Sequence, residues 1–378
     1  MKIGIEAQRI FRKRKHGMDM VALELIKQLQ IFDTKNEYFI FVNNTEDMSA
    51  LPSAPNFNIV KVKASTYPIW EQYYLPKAIK KTGIDILHCT SNTAPIFLKV
   101  PLILTLHDII YLEKWNFTEG TNYQIVGNLY RRWNVPIVVK FAKHILTVSD
   151  FEKDKIVKYF GFNNNQVSTA YNGVGNHFKT VLDTNELARV KKLYNLPDDY
   201  MFYLGNTDPK KNVVGVLKAL SILKNQGLLK SKLVMFDINR EFIHDVMKQI
   251  NDMTLMEDIV FCDYVPNVDL PAIYSQANLF LYPSIRESFG IPLLEAMACG
   301  APIITSNTSS MPEVAGDAAL FVNPFEANEI ANAIIELQKN SNKRQELILN
   351  GKKRVEHFTW KSNALQTIEL YNKYSQNK

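Results

Sequence analysis

The sequence predicts an α/β protein made of two doubly wound parallel sheets, each formed by one half of the chain. Short apolar runs alternate with segments of helical periodicity, as expected for parallel strands that are joined by helical crossovers. This alternation restarts near residue 200, after a linker that we place at residues 175–183. A chain of 378 residues is long enough to form two domains with separate hydrophobic cores.

The first half begins with a strand at residues 3–7 and a helix at residues 18–31, whose apolar side chains recur at helical spacing. Further helices are predicted at residues 69–80 and from about residue 122 to 143. The Ser-Asp pair at residues 149–150 is expected to cap another helix. Short apolar runs predict further strands at residues 38–42, 58–62, 84–88, 102–106, 144–148 and 167–170.

The second half repeats this alternation. Helices are predicted at residues 213–224 and 240–251 and from residue 326 to the end, with the last helix beginning at residues 358–360. Residues 306–314 are expected to form a loop. Strands are predicted at residues 201–204, 233–236, 258–262, 278–282, 303–305 and 319–322.

A predicted strand, loop and helix meet in the most informative stretch of the chain. The strand at residues 278–282 is followed by a polar loop and then by a helix. Gly290 permits a close approach, Pro292 suits a first helical turn, and Gly300 stands where a helix end favours positive φ. The helix N-terminus at residues 289–292 is therefore predicted to direct N–H groups and the positive end of the helix dipole at an anionic ligand.

Two glutamates flank this predicted anion site. Glu287 and Glu295 would repel a phosphate unless each faced hydroxyl groups, and sugar hydroxyls fit that requirement. The alternative is an ordinary strand–helix unit whose glutamate favours the helix dipole. Because Glu287 precedes the helix in a loop, we expect it at the surface. Glu287→Gln should then change stability by only a few tenths of a kcal/mol.

The net charge of +6 is too small to indicate nucleic-acid binding, and no nucleic-acid-binding signature is present. Basic residues nevertheless cluster in two places in the first half. These clusters are either solvated faces or contacts with an anionic membrane surface or a lipid pyrophosphate. Their members are Arg9, Arg12, Lys13, Arg14 and Lys15, and Arg131, Arg132, Lys140, Lys143 and His144.

Cysteine usage and hydropathy predict a cytoplasmic protein, located at the inner face of the membrane if the basic clusters bind lipid. The three cysteines are scattered and have neither zinc-ligand nor disulfide-framework spacing. The N-terminus has only a short apolar stretch, which is typical of a first strand and not of a secretory signal. No apolar run is long enough to span a membrane. Because no D-x-D occurs, no metal is expected.

Glu287 and Glu295 have the E-x7-E spacing, and residues 282–324 around them resemble the retaining family 4 glycosyltransferases. The resemblance covers nearly the whole chain, strongly from about residue 200 and more loosely before it. It implies a GT-B fold, with two Rossmann-like domains and a cleft for donor and acceptor between them. The implied domains are an acceptor-side domain at 1–178, a nucleotide-sugar-binding domain at 179–357, and a helix at 358–378 that crosses back to the first domain.

The resemblance also implies roles for residues of the second half. Glu287 would hold the donor sugar, Glu295 the ribose of the nucleotide, and Lys211 the diphosphate. Relatives carry an arginine where this chain has Asn206, so Lys210 is expected to supply the missing charge. The other implied donor-binding residues are Tyr264 and Val265, whose backbone would hold the base, and Ser288, Phe289, Gly290 and Ile291.

One residue of the first half is implied to be catalytic. His107 follows the strand at residues 102–106 in a motif that resembles the family's T-x-H-D, and in the family this histidine reaches the donor sugar. A capped strand-end histidine is the alternative. The predicted catalytic residues are therefore His107, Lys211 and Glu287.

The loop before the first helix departs from the family pattern. Gly17 lies where donor phosphates bind in relatives, but Asp19 replaces the second glycine of the usual Gly-x-Gly. This replacement weakens a phosphate-binding role for the loop and favours contact between Asp19 and an acceptor hydroxyl. Met18 and Asn172, which opens an Asn-Gly-Val turn similar to that of the family, complete the predicted acceptor-side residues.

The resemblance implies metal-independent transfer of a hexose from a nucleotide-diphosphate sugar. GDP-mannose is the first candidate donor, and the acceptor would be a glycan or a lipid-linked saccharide in surface polysaccharide or glycoconjugate synthesis. A UDP-hexose or UDP-N-acetylhexosamine is the alternative donor. The sequence is also compatible with a nonenzymatic sugar-nucleotide-binding module, or with an unrelated GT-B enzyme such as a sugar-nucleotide epimerase.

Overall fold

A computed structural model describes residues 1–15, 17–43, 45–113 and 122–375 of the chain. The chain divides into two compact units: unit 1 contains Met1–Asn172 and Trp360–Lys378, and unit 2 contains Gly173–Thr359. The sequence predicts boundaries after residues 178 and 357. In the structure the first unit is interrupted after residue 172, and its returning segment starts at residue 360.

The sheet of unit 1 has seven strands in the order β3-β2-β1-β4-β5-β6-β7, and every neighbouring pair is parallel. The strands are β1 Lys2–Glu6, β2 Glu37–Val42, β3 Phe57–Lys61, β4 Ile86–Cys89, β5 Leu102–Thr105, β6 His144–Thr147 and β7 Val167–Thr169. In the register, Ile3 of β1 lies opposite both Tyr38 and Ile86. The order reverses between β1 and β4, which is where parallel sheets open a crevice at their carboxyl ends.

The crossover helices of unit 1 are α1 Gly17–Phe32, α2 Tyr67–Ile69, α3 Leu75–Thr82, α4 Ile110–Glu113, α5 Asn122–Val138 and α6 Asp150–Phe160. A π-helical turn at Trp70–Tyr74 joins α2 to α3, so residues 67–82 form one continuous helical segment. The Ser149 hydroxyl accepts a hydrogen bond from the Glu152 amide at 3.2 Å, which confirms its predicted role as an N-cap.

The sheet of unit 2 has six parallel strands in the order β10-β9-β8-β11-β12-β13. They are β8 Tyr200–Tyr203, β9 Lys232–Phe236, β10 Ile259–Cys262, β11 Leu279–Tyr282, β12 Ile303–Ser306 and β13 Ala319–Val322. Phe280 pairs in register with Phe202 on one side and Ile303 on the other. The strand order reverses between β8 and β11, so the loops after these two strands leave the same edge side by side.

The helices of unit 2 include three that the sequence interpretation did not contain, α7, α10 and α12. The helices are α7 Thr184–Leu193, α8 Val213–Asn225, α9 Arg240–Gln249, α10 Leu270–Gln276, α11 Ile291–Cys299, α12 Met311–Ala315, α13 Ala327–Lys339 and α14 Ser341–Arg354. The expected loop at residues 306–314 is therefore wrong in its second part. Pro312 occupies the first turn of α12, a position that favours helix initiation.

The terminal helix α15, Trp360–Ser375, belongs to unit 1. It packs on α1, and its Tyr371 hydroxyl lies 2.7 Å from Nδ1 of His88 in the sheet. Asn363 Nδ2 donates to the carbonyl oxygens of Ala170 and Tyr171 at 3.1 and 2.9 Å. These contacts anchor the returning helix to α1, to β4 and to the segment that follows β7.

Candidate active site

The reversal of strand order in unit 2 brings two predicted site residues into contact. Lys211 lies in the loop after β8 and Glu287 in the loop after β11. Lys211 Nζ is 2.6 Å from Glu287 Oε1 and 3.0 Å from the hydroxyl of Tyr282, the last residue of β11. The side chains of Lys211 and Glu287 are only 18% and 12% exposed. Their charges are therefore partly shielded from water, which strengthens the contact.

The Lys211 loop is fixed by the side chains of Asp208 and Asn212. Asp208 Oδ1 accepts a hydrogen bond from the Lys210 amide at 3.1 Å and opens a 3₁₀ turn at Pro209–Lys211. Asn212 follows with φ 61°, in the left-handed region that asparagine tolerates. Its Nδ2 donates to the carbonyls of Pro283 and Pro324 at 3.0 and 2.6 Å. The loop after β8 is thus bonded to the segments that follow β11 and β13.

Asn206 occupies the position of the family's arginine, and Lys210 is the residue expected to supply the missing charge. Lys210 Nζ lies 3.3 Å from the Asp208 carboxylate. Asn206 Oδ1 accepts from the Asp208 amide at 3.0 Å, so this residue shapes the turn. Asn206 therefore stabilises the turn in the place of the usual arginine. Diphosphate binding by Lys210 stays a prediction.

The backbone of Glu287 is held by hydroxyl groups from the loop after β12. Its amide donates to Ser309 Oγ at 2.9 Å, and its carbonyl accepts from Ser309 Oγ at 2.5 Å. The same carbonyl also accepts from Arg286 Nη1 at 3.1 Å. Ser310 Oγ lies 3.1 Å from this carbonyl and 3.0 Å from the Phe289 carbonyl, and its single hydrogen is shared between these two acceptors. Two further hydroxyls donate to carbonyls that precede Glu287: Ser306 to Ser284 at 2.5 Å and Thr308 to Ile285 at 3.1 Å.

The sequence interpretation missed these serines, because it treated residues 306–314 only as a loop. A signal was nevertheless present: residues 306–310 read Ser-Asn-Thr-Ser-Ser and follow a strand adjacent to β11. Hydroxyl-bearing residues at the carboxyl end of one strand can bond the loop of its neighbour.

The expectation that Glu287 lies on the surface is wrong. Its side chain is 12% exposed, because the loop is bound to Ser309 and Ser310 and the carboxylate contacts Lys211. Removal of its charge would leave the Lys211 ammonium group without its ionic partner. We therefore expect Glu287→Gln to reduce stability by about 1 kcal/mol or more, and not by a few tenths.

Glu295 lies one turn inside α11, where the Tyr274 hydroxyl donates to Glu295 Oε2 at 3.0 Å. Burial raises the pKa of Glu295 to about 7. Tyr274 itself packs among the rings of Phe202 and Phe280 in the core. The Glu295 carboxyl group is therefore held in place and changes its charge close to neutral pH.

The N-terminus of α11 has the geometry that the sequence predicts. Gly290 has φ 100° and precedes the helix, Pro292 lies in its first turn, and Gly300 ends it with φ 80°. The positive φ at Gly290 favours glycine, whereas the contact that a Cβ atom would make, 2.7 Å from Met311 Cε, is with the flexible end of a side chain that can shift.

The other predicted residues of this segment differ in what they can offer a ligand. Phe289 is 3% exposed, and its ring lies 5.7 Å from that of Phe358, so its side chain is part of the core. Only the backbone of Phe289 remains for donor binding. Ser288 and Ile291 are partly exposed on either side of the Phe289–Gly290 turn, and Ile291 is the first residue of α11.

Tyr264 and Val265 follow β10 at the edge of the sheet. The strand order places β9 and β8 between β10 and β11. Tyr264 is 47% exposed and Val265 is 7% exposed. Binding of the nucleotide base by their backbone stays a prediction.

His107 lies in unit 1, just after β5. Its amide donates to Asn92 Oδ1 at 2.7 Å, and its Nε2 is 2.9 Å from the Thr90 carbonyl oxygen. A carbonyl can only accept, so Nε2 carries the hydrogen and Nδ1 is the ring's acceptor. Burial lowers the pKa of His107 below its usual value, and the ring is therefore neutral at pH 7.

The predicted acceptor-side residues also lie in unit 1. Gly17 begins α1 and Met18 follows it. Asp19 is buried and forms an ion pair with Arg9 Nε at 3.2 Å. Asn172 is 3% exposed and is the last residue of the first segment of unit 1. Donor-side contact by Gly17 and acceptor contact by the other three stay predictions.

Glu6 is a buried acid that the sequence interpretation did not single out. It ends β1 at the strand-order reversal of unit 1, and it accepts from the Gln8 and Thr90 amides at 3.1 and 3.3 Å. Burial, with a smaller contribution from Glu71, raises the pKa of Glu6 to about 7. A glutamate that follows the apolar residues 3–5 at the end of the first strand was the available signal.

Solved structures similar to this chain over nearly its full length define the fold class. The sucrose-phosphate synthase of Thermosynechococcus elongatus superposes with a TM-score of 0.76 at 19% identity and covers 98% of both chains. The HepE structure of Anabaena with UDP-glucose gives 0.75 at 16% identity, covering 99% of this chain and 100% of that one. Likeness at such identity establishes the fold alone. The chain has a GT-B fold with two Rossmann-like domains.

Sequence comparison identifies the family. Residues 16–175 match Glycosyltransferase Family 4, and residues 184–354 match Glycosyl transferases group 1. These matches account for most of the chain and leave residues 1–15, 176–183 and 355–378 outside them. The protein belongs to the glycosyltransferases, with a family 4 domain followed by a group 1 domain.

Several curated relatives are mannosyltransferases. The O-antigen chain mannosyltransferase B of Escherichia coli is 32% identical over 231 residues, which cover 61% of this chain and 60% of that protein. The O-antigen chain mannosyltransferase RfbU of Salmonella typhimurium is 27% identical over 295 residues, 77% of each chain. The serotype-specific mannosyltransferase WbdA of E. coli is 26% identical over 238 residues, and the match spans only 29% of its length.

Proposed function

We propose that this glycosyltransferase moves a hexose, with mannose as the first candidate, from a nucleotide-diphosphate sugar to a saccharide or lipid-linked saccharide, with retention at the anomeric carbon. The observation that carries the proposal is the contact between Lys211 and Glu287 at 2.6 Å, at the strand-order reversal of unit 2. A cation suited to a diphosphate and a carboxylate suited to a sugar are held within one hydrogen bond. The relatives named as O-antigen mannosyltransferases support mannose and polysaccharide synthesis.

Lys211 is suited to bind the donor without losing its position. An ammonium group has three donors, of which one contacts Glu287 and another the Tyr282 hydroxyl. A diphosphate approaching Nζ would take the third donor and compete with Glu287 for the charge. The Glu287 carboxylate would then be released to accept hydrogen bonds from hydroxyl groups of the donor sugar.

The α11 segment would supply the remaining donor contacts. Backbone N–H groups at residues 289–291 and the helix dipole favour a phosphate oxygen. Glu295, held by Tyr274, would accept from the ribose hydroxyls. Lys210 adds a second positive charge in the loop after β8. These groups would neutralise the diphosphate without a divalent ion, so we propose metal-independent transfer.

The proposed reaction is a substitution at the anomeric carbon. The bond from this carbon to the phosphate oxygen breaks, and its electron pair leaves with the nucleoside diphosphate. A bond forms to the acceptor hydroxyl oxygen on the same face, and the hydroxyl proton passes to the departing phosphate oxygen. Lys211 would stabilise the negative charge that grows on the phosphate, and Glu287 the positive charge on the sugar.

Unit 1 would contribute polar contacts in this proposal. His107, which is neutral, would form a hydrogen bond to the donor sugar and would not act as a cation. Asp19, Met18 and Asn172 would contact the acceptor. Asp19 would have to share its carboxylate between an acceptor hydroxyl and Arg9, with which it is paired at 3.2 Å.

Peripheral contact with an anionic membrane at its cytoplasmic face is a second part of the proposal. Helix α5 exposes Val126, Leu129 and Trp133 by 63%, 45% and 53%. The spacing of three and four residues puts them on one helical face, and exposed Lys140 and Lys143 follow the helix. Apolar and aromatic residues beside lysines are typical of helices that lie in a membrane interface.

Two further observations bear on this membrane contact. In the described part of the chain, no helix has the length and apolarity needed to cross a bilayer. In the N-terminal basic cluster, Arg9 is paired with Asp19 and Lys15 with Asp47, at 3.2 and 2.5 Å. The face of α5 therefore carries the lipid-binding proposal better than the N-terminal cluster does.

The donor is identified by incubating the purified protein separately with GDP-mannose, UDP-glucose and UDP-N-acetylglucosamine, without acceptor, and by measuring released nucleoside diphosphate. We expect slow hydrolysis that is fastest for GDP-mannose. If a UDP-sugar such as UDP-glucose, which is bound in the HepE structure, were hydrolysed fastest, the proposed donor would change and the proposed reaction class would not. The proposal would be overturned if none of the donors were hydrolysed and none bound in calorimetry.

A further inference from the structure

Ser309 bonds to both backbone groups of Glu287. Its Oγ accepts from the Glu287 amide at 2.9 Å and donates to the Glu287 carbonyl at 2.5 Å. A hydroxyl has one hydrogen to donate, so Ser309 commits it to this single residue. The φ and ψ bonds of Glu287 lie between the amide and the carbonyl. A hydroxyl that holds both groups therefore restricts both torsions and sets the direction in which the side chain leaves the backbone.

The conformation of Ser309 itself is unusual. Its φ of 63° lies in the left-handed region, which residues other than glycine seldom adopt. Such conformations persist where the surrounding structure requires them, and they concentrate at functional sites. Glycine would adopt this φ with less strain but would lack the hydroxyl. The hydrogen bonds to Glu287 are thus the feature for which serine is needed.

The Glu287 carboxylate also has a defined partner. Its Oε1 accepts from Lys211 Nζ at 2.6 Å, and Lys211 is in turn fixed by the Tyr203 hydroxyl, which donates to the Lys211 carbonyl at 2.9 Å. Glu287 is therefore held at its backbone by Ser309 and at its carboxylate by Lys211. A change in its backbone torsions would move the carboxylate relative to the ammonium group and to any sugar bound beside it.

We propose that Ser309 is a positioning residue for Glu287, and that its hydroxyl sets the backbone conformation from which the Glu287 carboxylate meets the donor sugar. This inference rests on the proposed sugar-binding role of Glu287. It assigns Ser309 no contact with the substrate. It also predicts that Ser309 affects turnover only through Glu287, a relationship that a residue supporting general stability would not show.

The test uses the full chain and the donor identified as described above. Ser309→Ala removes the hydroxyl, and Ser309→Gly removes it while relieving the left-handed strain. Ser221→Ala is the matched control, because Ser221 Oγ donates to Asp252 Oδ2 at 2.6 Å in the same unit without contacting the site. Glu287→Gln and the double variant with Ser309→Gly complete the cycle. For each variant we would measure kcat, donor KM, nucleoside diphosphate Kd and Tm.

We expect both Ser309 variants to lower kcat by about 10- to 100-fold, because small displacements of a reacting group have effects of this size. Nucleoside diphosphate Kd should stay within about twofold, since Lys211 and the α11 backbone are unchanged. The double variant should be no slower than Glu287→Gln alone, within about twofold. Ser221→Ala should lower Tm and leave kcat at the wild-type value.

Wild-type kcat in Ser309→Gly would overturn the inference. The inference would also be overturned if the loss of kcat in the double variant equalled the product of the two single losses, because Ser309 would then act independently of Glu287. If Glu287→Gln itself retained full turnover, the proposed function of Glu287 would fail first. The cycle therefore distinguishes failure of the positioning role from failure of the proposed function on which it rests.

Discussion

Lys211 and Glu287 are 76 positions apart in the sequence, and their charged atoms lie 2.6 Å apart in the structure. The strand order of unit 2 produces this contact, because β8 and β11 are neighbours at the point where the order reverses. Each charge in the pair has a distinct proposed ligand, the diphosphate for the cation and the sugar for the carboxylate. The pair can therefore be tested one charge at a time.

Lys211→Ala should weaken nucleoside diphosphate binding about 10- to 100-fold, since a charge-assisted hydrogen bond contributes about 1.5–3 kcal/mol. Affinity for the nucleoside alone should not change, because the charge meets phosphate and not the base. Calorimetry with both ligands checks this. Lys218→Ala, an exposed lysine on α8, is the matched control and should behave as wild type. Equal losses for nucleoside and diphosphate would contradict the assignment.

Turnover should persist in excess EDTA. The proposed counter-charges of the diphosphate are Lys211, Lys210 and the N-terminus of α11, and none of these requires a divalent ion. Initial rates with and without EDTA, each repeated with added Mg²⁺ or Mn²⁺, provide the measurement. Activity that disappears in EDTA and returns only with a divalent ion would show that the diphosphate is neutralised differently.

Donor binding should weaken as the pH falls through 7. Burial raises the pKa of Glu295 to about 7, so the carboxylate becomes protonated below this pH and loses capacity to accept from ribose hydroxyls. Nucleoside diphosphate Kd should therefore rise between pH 8 and pH 6. The phosphate of the ligand titrates as well, and it does so with either protein. Because Glu295→Gln lacks the carboxylate, the difference in Kd between wild type and variant reports the titration of Glu295 alone. Parallel curves for wild type and variant would contradict the role.

The same pKa has an opposite consequence for stability. Because the pKa of Glu295 is about 7 in the folded protein and near 4.5 for an ordinary glutamate, the folded state binds more protons between these values. Stability contributed by this group therefore falls as the pH rises from about 4.5 to 7. Glu295→Gln should gain Tm relative to wild type over this range, and a constant Tm difference would contradict the shift.

Leu129→Ser should reduce binding to vesicles that contain anionic phosphatidylglycerol. Leu129 is 45% exposed on the apolar face of α5, so its loss removes apolar area from the proposed interface. Cosedimentation with phosphatidylglycerol and phosphatidylcholine vesicles provides the measurement. Leu349→Ser is the matched control, because Leu349 is 51% exposed on α14 in unit 2. Equal binding by the two variants, or equal binding to both lipids, would contradict the proposal.

Much of the fold follows from apolar runs and a few turn residues. Each strand of both sheets is near its predicted position, because parallel strands are buried on both faces and appear as continuous apolar segments. The sequence predicts the position of α11 well, because its start and end are marked by Gly290, Pro292 and Gly300, at positions that few other residue types suit. Helix α7 was missed because it buries only Val190 and so lacks an apolar stripe.

The site was predictable in part. Motif resemblance singled out Lys211 and Glu287, but their mutual contact depends on strand order, which residue patterns alone do not determine. The low exposure of Glu287 was not predictable, because it results from bonds to Ser309 and Ser310 in another loop. Hydrogen bonds between loops depend on torsions such as the positive φ of Ser309. Local sequence constrains these torsions weakly outside glycine.

Turnover by Glu287→Gln, with nucleoside diphosphate affinity measured on the same protein, tests the central claim most directly. The amide can still accept a hydrogen bond but cannot stabilise positive charge, so transfer should fall roughly 100-fold. Nucleoside diphosphate affinity should be unchanged or tighter, because Lys211 no longer shares its charge with a carboxylate. Near-wild-type turnover in a folded Glu287→Gln variant would contradict the account and remove Glu287 from catalysis.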